Sequence, residues 1–86
     1  MNLLAVDDEQ LALLDLEHTI REALPTCSLA AFTLPEDALA YARDTPVDAA
    51  FLDIEIPGMS GLGLAAALRE INPHTNIIFV TGYDAY

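Results

Sequence analysis

The chain has 86 residues, of which 53% are hydrophobic, so it is long enough for one domain with a buried core. Its formal net charge is −11, with three arginines and no lysine. This charge argues against direct binding to nucleic acid or to an anionic membrane surface, because both require clustered cations. A single cysteine, Cys27, cannot form an internal disulfide, which favours a cytoplasmic setting. The N-terminus resembles neither a signal peptide nor a membrane span.

The first part of the chain predicts a strand, a helix and a second strand. The apolar run Asn2–Val6 is the first strand and stops at two acids. Residues Glu9–Leu24 follow with helical periodicity, and Pro25 ends that helix. The apolar face of the helix consists of Leu13, Leu16, Ile20 and Leu24. A second short apolar run, Ser28–Phe32, is the second strand.

A second helix is predicted to begin at Thr33, whose hydroxyl could cap it, with Pro35 in the first turn. It ends near the Asp44-Thr45-Pro46 segment. The run Val47–Leu52 is the third strand, and it leads directly to Asp53.

A third helix is predicted from Ser60, the capping residue, to about Ile71. Gly61 and Gly63 weaken its first turn by roughly 1 kcal/mol each relative to alanine. A fourth strand covers Asn76–Val80. The order βαβαβαβ, with short and almost continuously apolar strands, predicts an α/β fold with a parallel sheet and helices on both faces.

Acidic side chains stand at the ends of two predicted strands. Asp7 and Asp8 follow the first strand, and Asp53 follows the third. If these strands are neighbours, the three carboxylates meet at the carboxyl edge of the sheet, where ligands bind in such folds. An oxygen-only cluster suits Mg²⁺, and a carboxylate can act as the nucleophile toward a phosphoryl group. The fourth strand ends at Thr81 and Gly82, which could contact phosphoryl oxygens.

Some of these residues also have a purely structural interpretation, although Asp53, between Leu52 and Ile54, is harder to explain in that way. Asp8 could simply cap the first helix, and Thr81 could be an ordinary residue at a strand end. The acids on the helices and in the loops, apart from the three at strand ends, are interpreted as solvated surface residues that keep the protein soluble. The joint placement at three strand ends is what favours a functional site.

Three segments carry a resemblance to a known family: Ala5-Val6-Asp7-Asp8-Glu9, Phe51-Leu52-Asp53-Ile54-Glu55-Ile56-Pro57-Gly58-Met59-Ser60-Gly61 and Ile77-Ile78-Phe79-Val80-Thr81-Gly82. They resemble, in the same order, the motifs of bacterial response-regulator receiver domains of two-component systems. The resemblance covers residues 1–86 as one domain and implies a flavodoxin-like three-layer fold with strand order 2-1-3-4. The ending at residues 81–86 is similar to receivers that precede LytTR-type DNA-binding domains.

The resemblance implies a cytoplasmic signalling module, rather than an enzyme, that a sensor histidine kinase phosphorylates in the presence of Mg²⁺. It also implies individual roles: Asp53 as phosphoacceptor; Asp8, Asp53 and the Glu55 backbone carbonyl as metal ligands; Asp7 acting through a metal-bound water; Thr81 as switch hydroxyl; Gly82 at the phosphate; and Glu55 and Tyr83 tuning the phosphate lifetime.

The pattern departs from the family at the C-terminus. The final helix–strand–helix and the lysine that pairs with the phosphate are absent, so the fourth strand is expected to be an exposed edge that self-associates. The sequence leaves open whether the chain is a natural short form or a piece of a longer protein. It also leaves open a phosphorylation-independent interaction module. A haloacid-dehalogenase-like phosphotransferase fits poorly, because that family has an aspartate where Glu55 stands.

Overall fold

The computed structural model describes residues 1–56 and 58–80. Strands and helices alternate along the chain as β1 (Asn2–Val6), α1 (Gln10–Ala23), β2 (Ser28–Phe32), α2 (Pro35–Asp44), β3 (Ala49–Asp53), α3 (Gly61–Ile71) and β4 (Asn76–Val80). All strand pairs are parallel, and the order across the sheet is β2-β1-β3-β4. The predicted three-layer α/β fold and its strand order are confirmed.

The hydrophobic core lies on both faces of the sheet. Because successive side chains of a strand point to opposite faces, β1 sends Leu4 and Val6 toward α2 and α3, and Leu3 and Ala5 toward α1. All four of these side chains are at most 1% exposed. The strand that precedes the first two acids is therefore rigidly packed from both sides.

Two predicted helix ends differ from the structure. Leu24 does not belong to the buried face of α1, because the helix ends at Ala23 and Leu24 is 41% exposed. Thr33 does not cap α2, since Leu34 occupies the cap position and makes no side-chain bond there. Pro35, which is buried in the first turn, sets the start of the helix instead.

The third and fourth strands also differ in detail from the prediction. β3 begins at Ala49, two residues after the predicted start, and Val47 is buried in the connection from α2 instead. β4 is not buried on both faces, since Ile78 and Phe79 remain 38% and 39% exposed. Within residues 1–56 and 58–80, no helix is long and apolar enough to cross a membrane.

Candidate metal centre

The first and third strands are neighbours, and their pairing brings three acids together. Val6 pairs with Leu52 in the parallel register, so Asp7 and Asp53 follow at the same edge of the sheet. Asp7, Asp8 and Asp53 each offer a carboxylate oxygen, and these oxygens all lie within 4.8 Å of one another. We call these three residues the acidic cluster. The predicted convergence of the acids at the carboxyl edge is present in the structure.

Backbone amides hold two of the three carboxylates in place. The Glu9 N–H donates to Asp7 Oδ1 at 3.0 Å, and the Glu55 N–H donates to Asp53 Oδ1 at 3.2 Å. Each bond engages one carboxylate oxygen, and the other makes no hydrogen bond within the described residues and can face a ligand. Both acids are thus oriented by the loop that follows their own strand.

Asp8 is the exposed member of the acidic cluster. The cap position of α1 belongs to Glu9 and has no side-chain cap bond, so Asp8 does not serve as the helix cap that the sequence allowed. Its carboxylate is accessible from solvent and makes no hydrogen bond to another described residue. A side chain in this position can turn toward a cation.

Burial and charge make the acidic cluster electrostatically unfavourable by itself. Asp7 is only 7% exposed, and this burial raises the pKa of its carboxyl above the ordinary value of 3.8. The Glu9 N–H opposes the increase, whereas the negative charges of Asp53, Asp8 and Glu9 add to it. A divalent cation among the three carboxylates would remove this repulsion.

The geometry fits Mg²⁺. In an octahedral site with bonds of about 2.1 Å, neighbouring and opposite ligand oxygens lie about 3.0 and 4.2 Å apart. The oxygens of the acidic cluster lie within 4.8 Å of one another, close to these separations, so the three carboxylates are near enough to share one ion directly or through its water ligands. The donor set contains only carboxylate oxygens, which Mg²⁺ prefers over softer ligands.

An open crevice of about 700 Å³ adjoins the acidic cluster and gives a ligand room to approach. It is lined by Asp8, Ile54, Glu55, Ile56, Gly58, Met59 and Ser60. The Glu55 side chain is exposed at its rim. Gly58 has φ of +84°, which a residue without a side chain adopts readily, and this fits the turn that the sequence predicts after β3.

Three of the predicted site residues, Thr81, Gly82 and Tyr83, lie outside the described residues. The sequence analysis missed the structural importance of Gly61, which it treated only as a weak helix former. Gly61 is buried and its N–H donates to the Ile54 carbonyl at 2.7 Å, directly beside Asp53. A glycine at the first position of a helix, where better helix formers are available, is the signal that could have indicated it.

A parallel sheet with the strand order β2-β1-β3-β4 and helices on both faces places the chain in the flavodoxin-like class of α/β folds. Within that fold class, the sequence matches a particular protein family. The family model described as "Response regulator receiver domain" matches residues 3–86. The chain belongs to this family, and thus to the receiver domains of two-component response regulators.

Several curated relatives align with the whole chain. A response regulatory protein of Yersinia pestis is 43% identical over 93 residues, and the sensory transduction protein LytT of Enterococcus faecalis is 33% identical over 86 residues. In both cases the alignment covers 100% of this chain. The chain spans only 36% of the length of either relative.

Solved structures of a response regulator protein called TrrA are similar in fold and sequence. TrrA of Thermotoga maritima in complex with Mg²⁺ and a beryllium fluoride is 31% identical, with a TM-score of 0.83. That alignment covers 96% of this chain and 70% of TrrA. TrrA in complex with the histidine kinase ThkA is 32% identical, with a TM-score of 0.82, and the alignment covers 99% of this chain and 72% of that one.

Proposed function

We propose that this domain accepts a phosphoryl group on Asp53 from a sensor histidine kinase, with Mg²⁺ held in the acidic cluster. The observation that carries the proposal is the presence of three carboxylate oxygens within 4.8 Å of one another at the carboxyl edge of the sheet. The similarity to TrrA supports it, because that protein has been seen both with Mg²⁺ and beryllofluoride and with a histidine kinase.

In the proposed reaction, the Asp53 oxygen not engaged by the Glu55 N–H attacks the phosphorus of the phosphohistidine. A new O–P bond forms as the N–P bond breaks, and the imidazole leaves with the bonding electron pair. The Asp53 carboxylate is no longer an anion once its attacking oxygen has become the bridging oxygen of the acyl phosphate. The bonded Oδ1 keeps the carboxylate oriented during the attack. The chemistry supplied by bound Mg²⁺ is charge neutralisation at the transferring oxygens.

The remaining site residues take the roles that the family implies. Asp8 and the Glu55 backbone carbonyl would complete the protein ligands, and Asp7 would act through a metal-bound water. Thr81 would donate its hydroxyl to the phosphoryl group, with the Gly82 backbone beside it. Glu55 and Tyr83, two residues beyond Asp53 and Thr81, would tune the lifetime of the acyl phosphate.

The proposal extends to the setting of the domain. We assign residues 1–86 to one receiver unit, acting in the cytoplasm, where Cys27 would remain reduced. The similarity to LytT supports a place in a regulator of that type. The net charge of −11 makes this segment unsuited to contact nucleic acid itself, so any DNA binding would belong to another part of such a regulator.

Beryllofluoride, which mimics a phosphoryl group on a carboxylate, tests the proposal directly. Addition of Mg²⁺ and beryllofluoride is expected to give bound fluorine-19 NMR resonances in stoichiometric amount, and EDTA should remove them. The metal dependence follows from the repulsion within the acidic cluster, which a fluoride-bearing anion would otherwise increase. Absence of bound resonances at millimolar Mg²⁺, in a protein shown by circular dichroism to be folded, would rule out the phosphoacceptor function.

A second candidate function is self-association through β4. Within the described residues this strand is an edge of the sheet, and its Ile78 and Phe79 side chains are exposed. An apolar edge strand offers unpaired backbone groups to a second copy of the chain. Pairing of two copies requires no phosphoryl group, so this function does not depend on Asp53.

Analytical ultracentrifugation tests the second candidate function by measuring how the association state depends on protein concentration. The wild-type chain is expected to dimerise with increasing concentration, and Phe79→Lys should shift the dissociation constant by about tenfold or more, since a lysine on an edge strand disfavours pairing. Leu11→Lys is the matched control, because Leu11 is 82% exposed and lies on α1 rather than on the edge strand. A monomer at all concentrations, or equal effects of both lysines, would contradict edge pairing.

A further inference from the structure

The first residue of α3 packs directly against the backbone that carries Asp53. A Cβ atom placed on Gly61 would lie 2.7 Å from Ile54 Cα and 3.0 Å from the Asp53 carbonyl carbon, and still closer to the Asp53 carbonyl oxygen. All three are backbone atoms, so no side-chain rotation could relieve the contact. Either the end of β3 or the start of α3 would have to move.

Two hydrogen bonds connect this contact to the acidic cluster. The Gly61 N–H donates to the Ile54 carbonyl at 2.7 Å, which fixes α3 to the loop after β3. One residue further along, the Glu55 N–H donates to Asp53 Oδ1 at 3.2 Å. A displacement of the Asp53–Glu55 backbone would therefore rotate the carboxylate away from its present position beside Asp7 and Asp8.

We propose that Gly61 is a positioning residue for phosphoryl transfer: it lets α3 approach the end of β3 closely enough to hold the Asp53 carboxylate within the acidic cluster. This inference rests on the proposed function, and it adds a residue that contacts neither the metal nor the phosphoryl group. Its role is separate from helix propensity, which would favour alanine at this position.

The chain supplies two matched controls. At Gly63 a Cβ would meet only Met59 Cγ and Ser60 Oγ, each at 3.5 Å, which is ordinary van der Waals contact. Gly63→Ala therefore makes the same chemical change two residues away without touching β3. Ser60→Ala removes the cap bond from the Gly63 N–H, which is 3.1 Å long, and destabilises the same end of α3 without adding an atom near Asp53.

The test compares the maximal rate of covalent labelling by acetyl phosphate at saturating Mg²⁺. Gly61→Ala is expected to lower this rate by about 100-fold, because a misplacement of about 1 Å has that effect on a reacting group. Gly63→Ala should stay within about threefold of the wild type. A loss confined to the rate at saturation, with stability lowered no more than in Ser60→Ala, is the result that a merely structural role would not give.

Each other outcome is decisive. If the wild type is not labelled, the proposed function fails; if the wild type is labelled and Gly61→Ala reacts equally fast, only the positioning role fails. If Gly61→Ala is unfolded by circular dichroism, the assay is repeated in trimethylamine oxide, which favours the compact state. A variant that stays unfolded there would make Gly61 a requirement of the fold and overturn the positioning role, as would equal losses in Gly61→Ala and Ser60→Ala.

Discussion

Substituting asparagine for Asp53 is expected to abolish covalent labelling by acetyl phosphate, with a loss of at least about 1,000-fold, on the scale of removing an enzyme nucleophile. The amide lacks the anionic oxygen that attacks phosphorus, yet its Oδ1 can still accept the hydrogen bond from the Glu55 N–H. The loop after β3 should therefore keep its conformation. Intact-protein mass spectrometry at fixed Mg²⁺ measures the phosphorylated fraction over time.

The matched control is Asp37→Asn, which makes the same change in charge at an exposed position in the first turn of α2. Its labelling rate should equal that of the wild type. Rapid loss of the label in hydroxylamine would identify an acyl phosphate. If Asp53→Asn were labelled at the wild-type rate, the acceptor would be another residue, and the role proposed for Asp53 would be wrong.

The fold was predictable because its strands satisfy a strong physical constraint. A strand covered by helices on both faces must be apolar at nearly every position, and β1 shows this with four side chains at most 1% exposed. The Ser60 cap was predictable for a similar reason, since its hydroxyl accepts the Gly63 N–H and leaves a clear sequence pattern.

The features that the sequence did not predict depend on tertiary geometry. Thr33 has the residue type of a helix cap, but α2 begins at Pro35, so Leu34 occupies the cap position. The role of Gly61 follows from the close approach of the α3 backbone to the backbone at the end of β3, and this distance cannot be predicted from the sequence alone. The acids were predictable as a set because the order of strands alone brings Asp7 and Asp53 to one edge.

Asparagine at position 7 is expected to stabilise the domain in EDTA at neutral pH. Burial, together with the charges of Asp53, Asp8 and Glu9, raises the pKa of Asp7 above 3.8 despite the Glu9 N–H. The folded state therefore binds the proton more tightly than the unfolded chain does. Stability from this group is complete below pH 3.8 and is lost as the pH rises through the higher pKa of the folded state. Asparagine cannot ionise, and its Oδ1 can still accept the Glu9 N–H.

Urea unfolding at several pH values measures this effect as the difference in unfolding free energy between Asp7→Asn and the wild type. The difference should be small below pH 3.8 and increase with pH to a plateau, and this increase is the effect of the Asp7 carboxylate. Saturating Mg²⁺ is expected to reverse the order of stability, so that the wild type becomes more stable than Asp7→Asn. A concentration one hundred times the dissociation constant stabilises the wild type by about 2.7 kcal/mol, and Asp7→Asn, which has lost a charge beside the ion, should gain less. A difference that does not vary with pH would mean that the Asp7 carboxylate is not destabilised in the folded protein. In that case the acidic cluster would have no repulsion for a cation to relieve.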